Sequence, residues 1–401
     1  TPIMRRLAIR HGIVDKPNDP RKIHKAPIAY LGGVAIFIGW VLGVCTGLFT
    51  EPHTEGIDRV EFPVGIIYGA VAILVTGLFD DVWEISPRVK IGGQLFAAAA
   101  LASQDVGTQL VSQSIATIQS AVLANLGLPE AIEAFLLTEP HSLIVYAIGT
   151  ATIAIIVIGS CNAVNLIDGM DGLAAGTSSV SAIGFLLIAA ILAIQTPLEY
   201  VDPIRIVMSL AMLGCLLGFL PYNFNPANIF MGDAGSLFVG YLSAASILLF
   251  SYNTDGGALK YTTACLLVMA FPITDTSLAI FRRKMAGKPL FSPDAQHIHH
   301  ILKKAGLGVK PAVLVMYAYS AVFMLLGVAM VAVSAPFRVL LAVAMVLYAF
   351  IFVTAYKFGL SQAASAKEAL EQKVEATSDS SNPSDQPANP AVSTTRATGS
   401  T

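Results

Sequence analysis

Residues 162–172 read Asn-Ala-Val-Asn-Leu-Ile-Asp-Gly-Met-Asp-Gly, with an apolar run on either side. They bring together two amides (Asn162, Asn165), two carboxylates (Asp168, Asp171) and two glycines (Gly169, Gly172). Acids and amides at the edge of a bilayer are costly to place and are usually functional. If the segment is helical, Asn165, Asp168 and Asp171 step by three and share one face. The glycines let a backbone come close to a ligand. A merely solvated loop needs neither the spacing nor the glycines.

Three further clusters carry chemistry of the same kind. Asp80 and Asp81 follow Gly-Leu-Phe at the end of an apolar run. Adjacent carboxylates at an interface hold Mg2+ or supply a base, and their mutual repulsion calls for a cation; a solvated helix end is the plainer alternative. Phe-Met-Gly-Asp-Ala-Gly-Ser, residues 230–236, sets Asp233 at the start of an apolar helix. Backbone amides there suit phosphate, and Asp233 suits the Mg2+ that bridges phosphates, although a lone Asp at that position is also a common N-cap. Asn223 and Asn225, just upstream, offer amides to a base or a sugar. His297-Ile298-His299-His300 lies in a strongly basic loop. Its spacing is poor for zinc on a helix and reads better as an anion site. Arg88 and Lys90 suit the phosphate of a membrane-embedded substrate, or serve only to orient the chain.

The elements that must position these groups are membrane helices. The chain has 401 residues, 55% hydrophobic and 12% charged, where a soluble domain carries roughly 25% charged residues. Its mean hydropathy is +0.69. Ten apolar segments are drawn at 31–49, 62–79, 91–103, 143–160, 173–195, 204–221, 235–251, 261–281, 312–333 and 338–356, near the spanning length. The expected fold is therefore all-α, a polytopic helical bundle. Residues 1–27 form a basic cytoplasmic segment, 28–356 the catalytic bundle with its loops, and 357–401 a disordered tail, because Ser, Ala, Thr, Asn and Pro cannot bury a core. The chain opens on Thr1, and a further hydrophobic helix upstream is expected. Cys45, Cys161, Cys215 and Cys265 read as buried thiols.

Lys and Arg alternate along these segments. Seven fall in 1–27 and seven in 282–311, Arg88 and Lys90 lie in 80–90, and none lies in 104–142. The positive-inside rule then places 1–27, 80–90, 161–172, 222–234, 282–311 and the tail in the cytoplasm. Every chemically rich stretch falls on that side. An ion-coupled transporter, the rival from another class, would put its ionisable residues near mid-membrane, where Asp275 stands almost alone. The sum is cation-assisted chemistry, with Mg2+ or Mn2+, on a phosphorylated or pyrophosphorylated substrate and a lipid partner. Such transfer depends on charge neutralisation and positioning. Nothing points to nucleic acid.

At these residues the chain resembles the polyprenyl-phosphate N-acetylhexosamine-1-phosphate transferases, glycosyltransferase family 4. Arg21-Lys22-Ile23-His24 with Gly32-Gly33, Asp80-Asp81, Asn162 to Gly172, Phe230 to Ser236 and the His297–His300 cluster carry the resemblance, which spans residues 1 to about 356. It implies eleven helices, and transfer of a sugar-1-phosphate from a UDP-N-acetylhexosamine to undecaprenyl phosphate at the cytoplasmic face of a bacterial inner membrane. By resemblance Asp233 is the Mg2+ ligand. Asp80 and Asp81 prepare the lipid phosphate or aid the metal, and Lys90, four residues before Gln94, meets that phosphate. Asn162, Asn165, Asp168, Asp171 and Asn223 belong to substrate binding, as do Lys25, His297, His299 and His300. A homodimer is a candidate assembly. Ile298 interrupts the His run, and Pro289 to Asp294 with Pro272-Ile273-Thr274-Asp275 resemble the GlcNAc-1-phosphate branch rather than the phospho-MurNAc-pentapeptide transferases, which stay the alternative. Departures are Ala295 for Arg, Ala29-Tyr30 for Pro-Arg, and Asn228 where a base is common.

Overall fold

A computed structural model describes residues 1–15, 17, 26–49, 62–114, 142–196, 203–251, 257–285, 287, 302, 306–333, 337–350, 352–354 and 357. Lys25, His297, His299 and His300 lie outside them, as do most of 104–142 and nearly all of the tail. The helices are α1 (Pro2–Arg10), α2 (Gly32–Phe49), α3 (Val64–Trp83), α4 (Pro87–Ala102), α5 (Ser142–Ile167), α6 (Leu173–Gln195), α7 (Ile204–Asn223), α8 (Gly232–Leu249), α9 (Ala258–Val268), α10 (Ala270–Met285), α11 (Val309–Ala332) and α12 (Phe337–Thr354). In a bilayer, backbone groups have no water to bond, so an apolar run of this length closes its hydrogen bonds internally as a helix.

The ten drawn segments resolve unequally. Eight of these helices are long and apolar enough to cross a membrane among the described residues. The segment 261–281 is two helices, α9 and α10, bent by 74° at their junction, and makes a ninth span if the pair is counted as one. The segment 91–103 belongs to the sixteen-residue α4, where Pro87 and the polar Arg88 and Lys90 fill the first turn.

Helix α8 is the axis of the bundle. Every residue from Ala234 to Leu249 is buried, and α3, α5 and α2 pack around it. Small residues make this approach close, as expected where helices associate by packing rather than by the hydrophobic effect. Gly33 faces Ala234 and Gly235, Gly77 faces Asp233 and Ala234, and Gly240 faces Ser160 and Cys161. Large apolar side chains such as Leu42, Tyr68, Ile155, Leu217 and Leu325 point outward, the arrangement of a lipid-facing surface. Cys161, Cys215 and Cys265 are buried free thiols, but Cys45 is exposed on α2, because its helix turns that face outward.

Two local devices aim the ends of the helices. Glu84 ends α3 in the left-handed conformation, φ 49°, and donates its N–H to the Asp80 carbonyl. Only Ile85 and Ser86 separate it from α4, whose Pro87 suits a first helical position. The turn folds α4 back along α3. Near the N-terminus, Val14–Asp15 (β1) pairs antiparallel with Ile28–Ala29 (β2). Ala29 then bridges Ile229 in parallel. The Gly32 and Gly33 N–H groups donate to the Phe230 and Met231 carbonyls at 3.1 and 2.9 Å. This zipper sets the entry of α8 against the start of α2.

At Gly77, an added Cβ would lie 2.7 Å from the Asp233 carbonyl oxygen and closer still to Ala234. Gly77→Ala is therefore expected to push α3 off α8 at the cost of about 1–3 kcal/mol. Thermal unfolding in detergent should show a lower midpoint, and an unchanged midpoint would contradict this packing.

Candidate active site

Four helix ends meet at one place: the C-terminal ends of α3 and α5 and the N-terminal ends of α4 and α8. The first α8 amides have no partner within their own helix and carry the positive end of its dipole. Asp81 answers them. Its Oδ1 accepts the Asp233 N–H at 2.7 Å and its Oδ2 the Ala234 N–H at 3.1 Å. The intervening Gly232 has φ 70°, and an added Cβ would stand 2.7 Å from the Asp81 carboxylate. Glycine is needed there both for the turn and for the close approach.

With α8 held by Asp81, the Asp233 side chain faces inward. Its Oδ2 accepts from Lys90 Nζ at 2.7 Å and its Oδ1 from Asn165 Nδ2 at 2.9 Å. Asn165 Nδ2 also donates to Ser236 Oγ at 2.9 Å, and the Ser236 hydroxyl donates to the Gly232 carbonyl at 3.0 Å. Lys90 pairs a second time, with the buried Asp80. Asp80, Asp233, Lys90, Asn165 and Ser236 thus form one connected group.

Asp168 sits beside it, just past the end of α5. Burial, and then the charges of Asp233, Asp81 and Asp171, push its carboxyl well above the usual carboxylate range. No protein donor among the described residues reaches that carboxyl. Tyr30 lies within electrostatic reach of Asp15 and, more weakly, of Asp81, Asp233 and Asp168, its ring edge-on to Phe230 at 6.2 Å. Burial and those negative charges raise its phenol, so it stays a neutral hydrogen-bond donor.

The three-residue step that puts Asn165, Asp168 and Asp171 on one face holds only in part. Helix α5 ends at Ile167, and 168–172 is a turn closed by Gly172 at φ 80°. Asp171 therefore swings to the next loop, where its Oδ2 accepts from Asn225 Nδ2 at 2.9 Å and from the Ala227 N–H at 3.0 Å. Asn223 is buried and ties the same two loops, accepting the Gly172 N–H at 3.1 Å and donating to the Ile229 carbonyl at 3.0 Å. The Tyr317 hydroxyl donates to the Gly172 carbonyl at 2.5 Å. Asp171 and Asn223 thus hold the floor of the site.

Asn162 lies one turn before Asn165 in α5 and donates to Gln94 Oε1 at 3.0 Å. Arg88 and Lys90 separate: Arg88 lines an open cavity of about 460 Å³ with Ser86, Pro87 and Ile91, whereas Lys90 turns to the carboxylates. Asn228, where the resemblance leads one to expect a base, offers its carbonyl to Arg5 Nε at 3.2 Å.

The sequence alone does not single out Ser236, Gln94, Tyr30 or Tyr317 as site residues. Ser236 had a signal, since it falls three residues after Asp233 on a helix. Gln94 stood out only as a neighbour of Lys90. Nothing in the sequence marked Tyr317, which comes from a helix far along the chain.

Among the described residues the donor set is oxygen only, with Asp80, Asp81, Asp168 and Asp233 against the ammonium of Lys90. No three His, Cys, Asp or Glu side chains converge as a ready-made cage among the described residues. Carboxylate oxygen is the donor type Mg2+ takes, usually from one or two carboxylates completed by substrate phosphates and water.

The sequence profile described as glycosyl transferase family 4 matches residues 63–251, the stretch that supplies α3, α4, α5 and α8. The chain is 36% identical over 324 residues to the probable undecaprenyl-phosphate N-acetylglucosaminyl 1-phosphate transferase of Bacillus subtilis, covering 80% of this chain and 78% of that protein. It is 33% identical to the decaprenyl-phosphate N-acetylglucosaminephosphotransferase of Mycolicibacterium smegmatis, covering 79% and 75%. To the undecaprenyl-phosphate alpha-N-acetylglucosaminyl 1-phosphate transferase of Escherichia coli it is 30% identical, covering 81% and 78%.

Proposed function

The chain belongs to glycosyl transferase family 4, and on that premise we propose that it transfers GlcNAc-1-phosphate from UDP-GlcNAc to undecaprenyl phosphate. The products are UMP and a lipid-linked pyrophosphoryl sugar, the first membrane step of a cell-envelope polysaccharide. The observation that carries the reading is the join of Asp80, Asp233, Lys90 and Asn165 at one end of the bundle. It supplies the two things phosphoryl transfer asks of a protein, charge neutralisation and positioning. The names of the relatives support the polyprenyl acceptor and the GlcNAc-phosphate donor. The positive-inside pattern supports a site facing the cytoplasm from the inner membrane.

In this reading an oxygen of the lipid phosphate attacks the β-phosphorus of the donor. The new O–P bond forms as the bond from that phosphorus to the oxygen bridging the two phosphates breaks. UMP leaves with the electron pair. Lys90 orients the acceptor phosphate. Asp80 takes up any proton that phosphate still carries. Asn165 and Ser236 keep Asp233 in place, and Asp81 keeps α8 in place. Asp168, which no donor reaches among the described residues, faces the donor nucleotide. Asp80 and Asp233 are the residues that would hold Mg2+, and Mn2+ fits the same oxygens. A bound cation supplies positive charge to the pyrophosphate and to the leaving UMP. Asp81 is assigned a positioning role, since both of its oxygens are taken by α8 amides.

Release of UMP by the purified protein tests the donor. With undecaprenyl phosphate and Mg2+, UDP-GlcNAc is expected to give lipid-dependent turnover and UDP-MurNAc-pentapeptide none. The reverse preference would move the chain to the phospho-MurNAc-pentapeptide branch.

A further inference from the structure

Lys90 is placed unusually for a residue that only greets a substrate. Its ammonium bridges Asp80 and Asp233 at once, the latter at 2.7 Å. It reaches them from the first turn of α4, the end of a helix where a cation is disfavoured by the dipole. The carboxylates, not the helix, keep the charge there. The tight turn at Glu84–Ser86 fixes the distance between α3 and α4, so the lysine stem is the part of the arrangement free to move.

We propose that Lys90 is an internal counter-ion of the site: it competes with a divalent cation for Asp80 and Asp233, and passes to the acceptor phosphate when that cation binds. The proposal rests on the reading of Asp80 and Asp233 as the cation-holding pair. A divalent ion shared by these carboxylates would stand within a few ångströms of Lys90 Nζ, where the repulsion between like charges is large in a partly buried setting. The ammonium must then leave. Its side chain is 24% exposed, so a path outward exists, and an anionic phosphate at the mouth of the site is the partner of matching charge. Cation and acceptor phosphate each make room for the other, and the coupling must be reciprocal.

Binding of Mn2+ to the purified full chain, followed by electron paramagnetic resonance, tests this without turnover. Lys90→Met is expected to bind Mn2+ about tenfold more tightly or better, and Lys90→Arg, which keeps the charge, close to wild type. A misfolded variant cannot gain affinity, so the readout does not confuse folding with function. Unchanged or weaker binding in Lys90→Met overturns the proposal. Farnesyl phosphate, as a short polyprenyl phosphate, should tighten Mn2+ binding in the wild type more than in Lys90→Met. Equal tightening overturns the transfer to phosphate. Asp233→Asn run alongside separates the two levels: if it leaves Mn2+ binding intact, the carboxylate pair itself is misassigned.

Discussion

Asp233→Asn is expected to lower turnover by about 10³-fold or more, the scale of losing several kcal/mol of charge stabilisation in a transfer step. The substitution keeps the shape of the side chain, and Asn165 can still donate to the remaining carbonyl oxygen. The new amide then faces Lys90 donor to donor, and one of the two carboxylates proposed to hold the cation is gone. The bundle should insert and fold as before. The α8 N-terminus is held by Asp81 and by the zipper to Ala29 and Gly32, not by the Asp233 side chain. Initial rates of UMP release, set against an unchanged melting midpoint, check both halves of this statement. Full turnover in Asp233→Asn would remove Asp233 from the chemistry.

Asp81→Asn should behave differently. One of the two α8 amides loses its acceptor, because an amide side chain offers one carbonyl oxygen and turns its NH2 toward the other donor. Leaving a buried N–H unpaired costs about 1–3 kcal/mol, so the melting midpoint falls. Asp233 moves with the first turn of α8, and a misplacement of about 1 Å in such a site costs on the order of 10²-fold in rate. The loss should fall on kcat, with KM for the donor little changed. Asp81→Asn with wild-type stability and abolished Mn2+ binding would instead make Asp81 a direct cation ligand.

Much of this was legible in the sequence, for identifiable reasons. A hydrophobic run near the spanning length must be a helix in a bilayer, so α2, α3, α5, α6, α7, α8 and α11 could be drawn from composition. Asp80, Lys90, Asn165 and Asp233 could be singled out because polar groups are scarce in such a chain. What the residues alone did not give is how they divide their work. Asp80 and Asp81 are neighbours of one type, yet successive side chains on a helix point about 100° apart. One meets Lys90 and the other meets the amides of a helix more than 150 residues further along the chain. By spacing Asp171 is equivalent to Asp168, but the α5 helix ends between Asn165 and Asp168, and a turn that stops a helix also ends its periodicity. The bend between α9 and α10 has a marker, Pro272 in the first turn of α10, because a proline inside an apolar run breaks or kinks a helix, but the even hydrophobicity of 261–281 reads as one span. Lys25, His297, His299 and His300 lie outside the described residues, and their roles stand on the resemblance alone.

The most direct test of the central claim follows one phosphorus atom. UDP-GlcNAc labelled with 32P at the β-phosphate is incubated with the protein, undecaprenyl phosphate and Mg2+, and the lipid is extracted. Transfer of GlcNAc-1-phosphate carries the label into the lipid and leaves unlabelled UMP in the water phase, and that is the predicted result. Label retained in water-soluble UDP beside a glycosylated lipid would show transfer of the sugar alone and would contradict the account.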